Sequence, residues 1–267
     1  MRGVPARAPH VAARLGGLRS SGIGLATLRA GSGAIATAIA SLGEQGVRVA
    51  VVDAETDEDL HALVAAARGR DDLLWVGSAG LIESLASAEL GPATHRREPE
   101  DAVPARRVLF LIGSPSAVTH EQIASFAPPV ATETLDPRAL LRGDTELEAA
   151  IARAAAALDE TGVALVAIGS EPQVAHAGLR AAFVAAAAPL ARDRDDLTIV
   201  LSGGDIARAF CETFRIRGLA IYEELAPGIP RSRAVGALFD LVTKAGGFGT
   251  PHTYGELRRI LRERAQA

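Results

Sequence analysis

Of the 28 lysine and arginine residues in this chain, Lys244 is the only lysine. The apolar run Leu241-Val242 and the hydroxyl of Thr243 precede it, and Gly246, Gly247, Phe248 and Gly249 follow after Ala245. An ammonium is a compact, mobile point charge, and glycines let a ligand come close to backbone N–H groups. Together they suit an anion such as a phosphate. A second stretch has the same grammar: Ile199-Val200-Leu201 runs into Ser202-Gly203-Gly204-Asp205. Asp205 there can hold a magnesium ion or cap the helix behind it. Further small-residue clusters follow strand-like runs at 77–80, 113–116 and 169–170, and the second of these clusters adds the hydroxyls of Ser114 and Ser116.

Other chemistries are weaker. No Gly-Lys-Ser/Thr follows a four-residue gap after a glycine, so the lysine does not sit in a Walker loop. Ser78, Ser114 and Ser170 each follow a glycine, but none has glycines at both −2 and +2, which the hydrolase elbow requires. His120-Glu121 lacks a second histidine at the zinc-protease spacing, and the six histidines are scattered. Cys211 stands with Phe210 and Phe214 on an apolar helix face and reads as a structural thiol. Ser20-Ser21-Gly22-Ile23-Gly24 looks like part of a dehydrogenase dinucleotide turn. No strand-like run precedes it, Leu18 stands where the first glycine belongs, and neither Tyr222 nor Tyr254 has a lysine four residues on.

The elements that must position these residues alternate. From Gly31 onward, helical segments (32–42, from 56 or 57, 81–90, from 119, 145–158, 173–188, 206–214, 254–264) intersperse with apolar runs at 47–52, 73–76, 108–112, 130–135, 163–168, 197–201, 219–222 and 237–242. Strands apolar throughout, alternating with helices, predict an α/β fold: a mostly parallel Rossmann-like sheet with helices on both faces, as a single domain over residues 31–267. Ligands in such folds bind beyond the C-terminal strand ends, where all five clusters fall. Residues 1–30 carry arginines, prolines and glycines with no acidic residue before Glu44 and no apolar core of signal-peptide length. They are expected to form a basic, poorly ordered leader or linker.

The totals bound the function. With 267 residues and 22% charged side chains the composition is that of a soluble globular protein. A net charge of -4 gives no sign of nucleic acid as a partner. One cysteine excludes an internal disulfide and fits a reducing, cytoplasmic compartment, and no apolar run reaches membrane-span length.

Taken in order, the landmarks resemble the four-carbon acid sugar kinase family, specifically its C-terminal nucleotide-binding domain. They are Val52-Asp53-Ala54, Val76-Gly77-Ser78-Ala79-Gly80-Leu81, Gly113-Ser114-Pro115-Ser116 with Thr119 and Gln122, Ser202-Gly203-Gly204-Asp205, Pro227-Gly228-Ile229-Pro230, and Thr243 to Gly249. The resemblance implies phosphorylation of the terminal hydroxyl of threonate, erythronate or 3-oxo-tetronate-type acids from ATP with Mg²⁺. It also implies nucleotide contacts from Ser114, Ser116, Gly203, Gly204, Asp205, Lys244, Gly246, Gly247, Phe248 and Gly249. Pro115, Ile206 and Ala245 depart from the cysteine, threonine and serine expected in the family. The family's N-terminal sugar-acid domain is expected to be missing, so the sugar acid is a partner only if such a domain is supplied. A non-catalytic or truncated nucleotide-binding module acting through a partner chain is the rival reading, and a homo-oligomer stays open.

Overall fold

The computed structural model describes residues 11, 15, 17–91, 106–126, 130–169 and 178–264. It divides into two compact units, Met1–His95 and Arg96–Ala267, so the boundary falls well beyond the one expected after residue 30.

In the first unit β1 (Ser20–Ile23) pairs in parallel with β2 (Val49–Val52), from Ser20 opposite Val49 to Ile23 opposite Val52. Around them lie α1 (Leu25–Arg29), α2 (Ser32–Glu44), α3 (Asp57–Ala66) and α4 (Ala79–Leu90), with Leu28, Ile35 and Leu63 forming a small core. Thr56 caps α3 in a reciprocal arrangement. Its hydroxyl accepts from the Asp59 N–H at 3.3 Å, and the Asp59 carboxylate accepts from the Thr56 N–H at 3.2 Å. The same carboxylate takes two hydrogen bonds from Arg29, at 3.0 and 2.8 Å, which hold it well below the usual carboxylate range. Two expectations fail here. Residues 20–30, read as leader, form β1 and α1 with Ile23 and Leu28 buried; residues 1–10, 12–14 and 16 lie outside the described residues. Ser and Gly in β1 hid the strand, because they carry no apolar signal. The run 73–76 is not a strand: Leu74 and Val76 are 90% and 85% exposed. A strand needs a neighbour for its N–H and C=O groups, and among the described residues of this unit only β1 and β2 pair.

The second unit is a seven-stranded sheet. Its strands are β3 (Arg107–Ile112), β4 (Ala131–Leu135), β5 (Val163–Ile168), β6 (Leu197–Ser202), β7 (Leu219–Ala226), β8 (Ile229–Ala234) and β9 (Asp240–Lys244), in the order β4-β5-β3-β6-β9-β8-β7. The first five in that order run parallel, and the β7–β8 hairpin adds antiparallel to β9. Alternate residues of each strand serve opposite layers. Leu109 and Leu111 join Ile199, Leu201 and Leu241 beneath α6 (Pro137–Arg142), α7 (Glu146–Thr161), α8 (Leu179–Ala187) and α9 (Gly204–Thr213). Val108, Phe110 and Ile112 join Val200 and Val242 beneath α5 (Ala117–Ala124) and α10 (Thr253–Arg264). The expected α/β sheet with helices on both faces is what forms. The 173–188 helix begins, among the described residues, at Leu179.

The strand β8 escapes sequence reading because Pro230, Arg231, Ser232 and Arg233 are not strand-like. Its buried cation is matched instead. Arg231 pairs with Asp240 of β9 at 2.8 Å, Tyr222 of β7 hydrogen-bonds the same carboxylate, and Arg233 lies 2.9 Å away from it. A buried charge persists only when partnered and hydrogen-bonded.

After β3 the chain moves outward to β4 and β5, then crosses back to place β6 on the far side of β3. That reversal between β3 and β6 is the topological switch point where ligands of open α/β sheets bind. On the α5–α10 face, Phe110 is fully buried with its ring 4.9 Å from Phe126 and 5.7 Å from Tyr254. Phe110→Ala should therefore lower the unfolding free energy of this unit by about 3–5 kcal/mol, read from the urea midpoint at constant slope.

Candidate functional site

Three glycine and serine turns leave the C-terminal ends of β3, β6 and β9, which are adjacent in the sheet. They pack hard on one another. A Cβ on Gly246 would lie 1.9 Å from the Ser114 hydroxyl oxygen, so only glycine allows that approach. Gly203, at φ 108°, starts α9 in a conformation closed to ordinary side chains and donates its N–H to the Lys244 carbonyl at 2.9 Å. Gly113 stands against Ile206, whose side chain is 1% exposed, so the residue where a threonine was expected is part of the core.

The hydrogen bonds of residues 245–250 fall mainly on the carbonyls. The Gly246 carbonyl accepts from the Ser116 hydroxyl (3.0 Å), the Thr119 hydroxyl (2.9 Å) and Lys244 Nζ (3.2 Å). The Ala245 carbonyl accepts from Lys244 Nζ and the Phe248 N–H, at 2.9 and 3.1 Å. The Phe248 and Thr250 carbonyls each accept from Gln122 Nε2 at 2.9 Å. Among the described residues no partner takes the N–H groups of Gly246, Gly247 or Gly249. The Phe248 and Thr250 amides are used within the fold, at 3.1 Å to the Ala245 carbonyl and 2.8 Å to the Thr253 hydroxyl, and a loop with four carbonyls tied inward and three glycine amides left over can cradle an anion.

Lys244 supplies the charge. It is 2% exposed, its Nζ lies 5.5 Å from the centre of the buried Tyr254 ring, and no carboxylate among the described residues pairs with it. Burial pushes its ammonium down to about 8. Tyr254 in turn donates to the Ser202 hydroxyl at 2.8 Å, and burial pushes its phenol up to about 12.

The expected site residues do not all stand alike. Ser114, Ser116, Gly203, Lys244 and Gly246 meet directly. Gly204 is exposed in the first turn of α9, which has no side-chain cap. Asp205 therefore does not cap; it is 73% exposed and pairs with Arg180 at 3.2 Å. Among the described residues no three His, Cys, Asp or Glu side chains gather as a metal site. Gly247 and Phe248 are exposed, and the Phe248 ring covers Gly228 in the β7–β8 turn, touching the position a Cβ would take. Gly249 abuts Thr253 and Gln122. Of the remaining clusters, 77–80 belongs to the first unit, Gly169 ends β5, and Ser170 lies outside the described residues. Thr119 and Gln122, fully buried on α5, were visible only as landmarks; steps of three from Ser116 to Thr119 and from Thr119 to Gln122 place all of them on one helix face. Cys211 is half-buried with its thiol pushed up by burial, as befits a structural residue.

Residues 109–254 match the family model of a nucleotide-binding C-terminal domain, more than half the chain. The chain belongs to the four-carbon acid sugar kinase family. Residues 7–85 match the sugar-binding N-terminal domain of that family, which overturns the expectation that this domain is missing. Its first strand, β1, is short, with Ser20, Ser21 and Gly22 ahead of Ile23, and the expected nucleotide-binding domain had taken in residues 31–85. The chain is 33% identical over 246 residues to a D-threonate kinase of Cupriavidus necator, covering 88% of this chain and 59% of that protein. It is 31% identical over 247 residues to a 3-oxo-tetronate kinase of the same organism, covering 86% and 56%. It thus spans less than two thirds of the length of these curated relatives. A solved structure from Salmonella typhimurium shares the fold with a TM-score of 0.66 at 23% identity, over 90% of this chain and 60% of that one. No helix among the described residues is long and apolar enough to cross a membrane.

An unfolded lysine keeps its proton to about pH 10.5, whereas Lys244 in the fold loses it near 8. Between these values the unfolded state binds the extra proton, so stability contributed at this position rises with pH. Lys244→Met should remove that rise, which a comparison of urea midpoints at pH 7.5 and 9.5 reads directly.

Proposed function

We propose that the second unit binds ATP at the turns following β3, β6 and β9, and that the protein phosphorylates the terminal hydroxyl of a four-carbon sugar acid of the threonate, erythronate or 3-oxo-tetronate type. The observation that carries this reading is the loop itself: among the described residues, the amides of Gly246, Gly247 and Gly249 are unused beside a buried ammonium with no carboxylate partner. Phosphate oxygens fit both. The names of the relatives, a D-threonate kinase and a 3-oxo-tetronate kinase, support the acid substrate class.

In this reading Ser114 and Ser116, with the uncapped start of α9 at Gly203 and Gly204, flank the phosphates on the β3 and β6 side. Lys244 and residues 246–249 close the β9 side, and Phe248 offers an exposed ring at the rim. Phosphoryl transfer is mostly positioning and charge neutralisation, which such a cradle supplies. Mg²⁺ arrives on the nucleotide, held chiefly by phosphate oxygens and water. Asp205, exposed and engaged with Arg180, is the carboxylate nearest in sequence to the phosphate turns. The sugar acid is assigned to residues matching the sugar-binding domain.

ADP or a non-hydrolysable ATP analogue with Mg²⁺, at about a hundred times its dissociation constant, should raise the melting temperature by roughly 5–10 °C. Gly247→Val tests the site without disturbing the fold, because nothing lies within 4 Å of a Cβ there. It should abolish the shift, as should Lys244→Ala; full retention in both variants sinks the assignment. The anion needs a protonated Lys244, so affinity should fall as pH rises past 8, by up to about tenfold per pH unit. Calorimetry across pH 7–9.5 reads this, with proton uptake on binding at the upper end.

A further inference from the structure

Helix α5 approaches the glycine loop with three polar residues on one face. Ser116 is its N-cap, accepting from the Thr119 N–H at 3.2 Å. Thr119 and Gln122 follow at helical spacing, and both are fully buried. Buried hydroxyls and amides on a helix are costly unless each finds a partner, and here the partners are loop carbonyls. Gln122 spans two of them. Its Nε2 faces the Phe248 and Thr250 oxygens, which fixes the orientation of the amide, since the opposite flip would set three acceptors against one another. The Gln122 Oε1 is left buried without a partner. The helix therefore pays the desolvation of one acceptor to hold two carbonyls of a loop distant in sequence. Core packing gains nothing from this arrangement, because a leucine would fill the space with no orphaned oxygen.

We infer that Thr119 and Gln122 are positioning residues for phosphate binding. By drawing the carbonyls of Gly246 and Phe248 inward, they turn those two peptide units so that the amides of Gly247 and Gly249, which share them, stay available to the nucleotide, while the bond to the Thr250 carbonyl anchors the end of the loop. This rests on the nucleotide reading given above, and it assigns a role to two side chains that touch the loop from behind. Ser116 and Lys244 reach the same Gly246 carbonyl from other directions, so loss of Thr119 alone weakens the hold, whereas loss of Gln122 frees the Phe248 carbonyl and leaves that of Thr250 to the Thr253 N–H.

The test compares Thr119→Val, Thr119→Ser and Gln122→Leu with the wild type in the full chain. Calorimetry with a Mg²⁺–ATP analogue and with adenosine separates the phosphates from the base and ribose. Thr119→Val and Gln122→Leu should each weaken the ATP analogue by about five- to twentyfold, the worth of one or two hydrogen bonds. Adenosine should change by less than about twofold, and Thr119→Ser, which keeps the hydroxyl, should restore the analogue. Equal losses for both ligands, or no loss for the analogue, overturn the inference. Hydrogen exchange of the peptide covering 245–250, without nucleotide, is read in the same variants. Faster exchange confined to that loop, at an unchanged melting temperature, supports the inference; unchanged exchange overturns it. If the wild type binds no nucleotide, the functional reading falls, and the exchange result still decides whether α5 sets the loop. Should Gln122→Leu not fold, the Thr119 pair carries the comparison alone.

Discussion

The turn after β9 is exposed at residues 245 and 247–250, so its shape is fixed only where donors of the fold hold its carbonyls. Four of them, on Ala245, Gly246, Phe248 and Thr250, are satisfied by side chains or amides within the fold. Much else in the second unit follows from those bonds. The start of α5 must sit where Ser116, Thr119 and Gln122 can reach across, which needs β3 and β9 on either side of β6. The contact between Ser114 and Gly246 is possible only because residue 246 has no side chain. The amides left over then face away from the donors that hold the carbonyls.

The unit treats its buried charges in two ways. At the β7–β8–β9 edge, Asp240 is met by Arg231, Arg233 and Tyr222. At the other end of β9, four residues along, Lys244 is as deeply buried but meets carbonyl oxygens and the face of a tyrosine ring. Burial of an ammonium without an anion is costly and lowers its proton affinity. The first arrangement stabilises strands whose sequence is poorly suited to a sheet. The second leaves a positive charge with no carboxylate partner among the described residues, beside the amides of Gly246, Gly247 and Gly249.

The first unit adds a different lesson. The span that matches a sugar-binding domain opens on a strand with little apolar signal, Ser20, Ser21 and Gly22 ahead of Ile23. Asp59 ties α1 to the start of α3 by taking Arg29 and two backbone amides on one carboxylate. A single buried carboxylate here replaces part of the work a larger apolar core does in the second unit, where two layers of helices cover the sheet.

The amino-acid sequence by itself determined the alternation of strands and helices, the parallel core of the sheet, and the residues at its strand ends. It did so because apolar runs, helical spacing and glycine clusters are local signals. The solitary Lys244 beside its glycines was legible in the same way. Three things were decided only by tertiary structure. The strand β8 exists because Arg231 meets Asp240 across the sheet, a compensation that no single segment displays. The run 73–76, apolar enough for a strand, stays unpaired because pairing depends on a neighbour and not on composition. The roles of Thr119 and Gln122 depend on which loop lies opposite their helix face, and that loop is more than a hundred residues away in the chain. Hydrogen-bond partners between distant segments are set by topology, so the glycine loop could be found from sequence, whereas what holds it open could not.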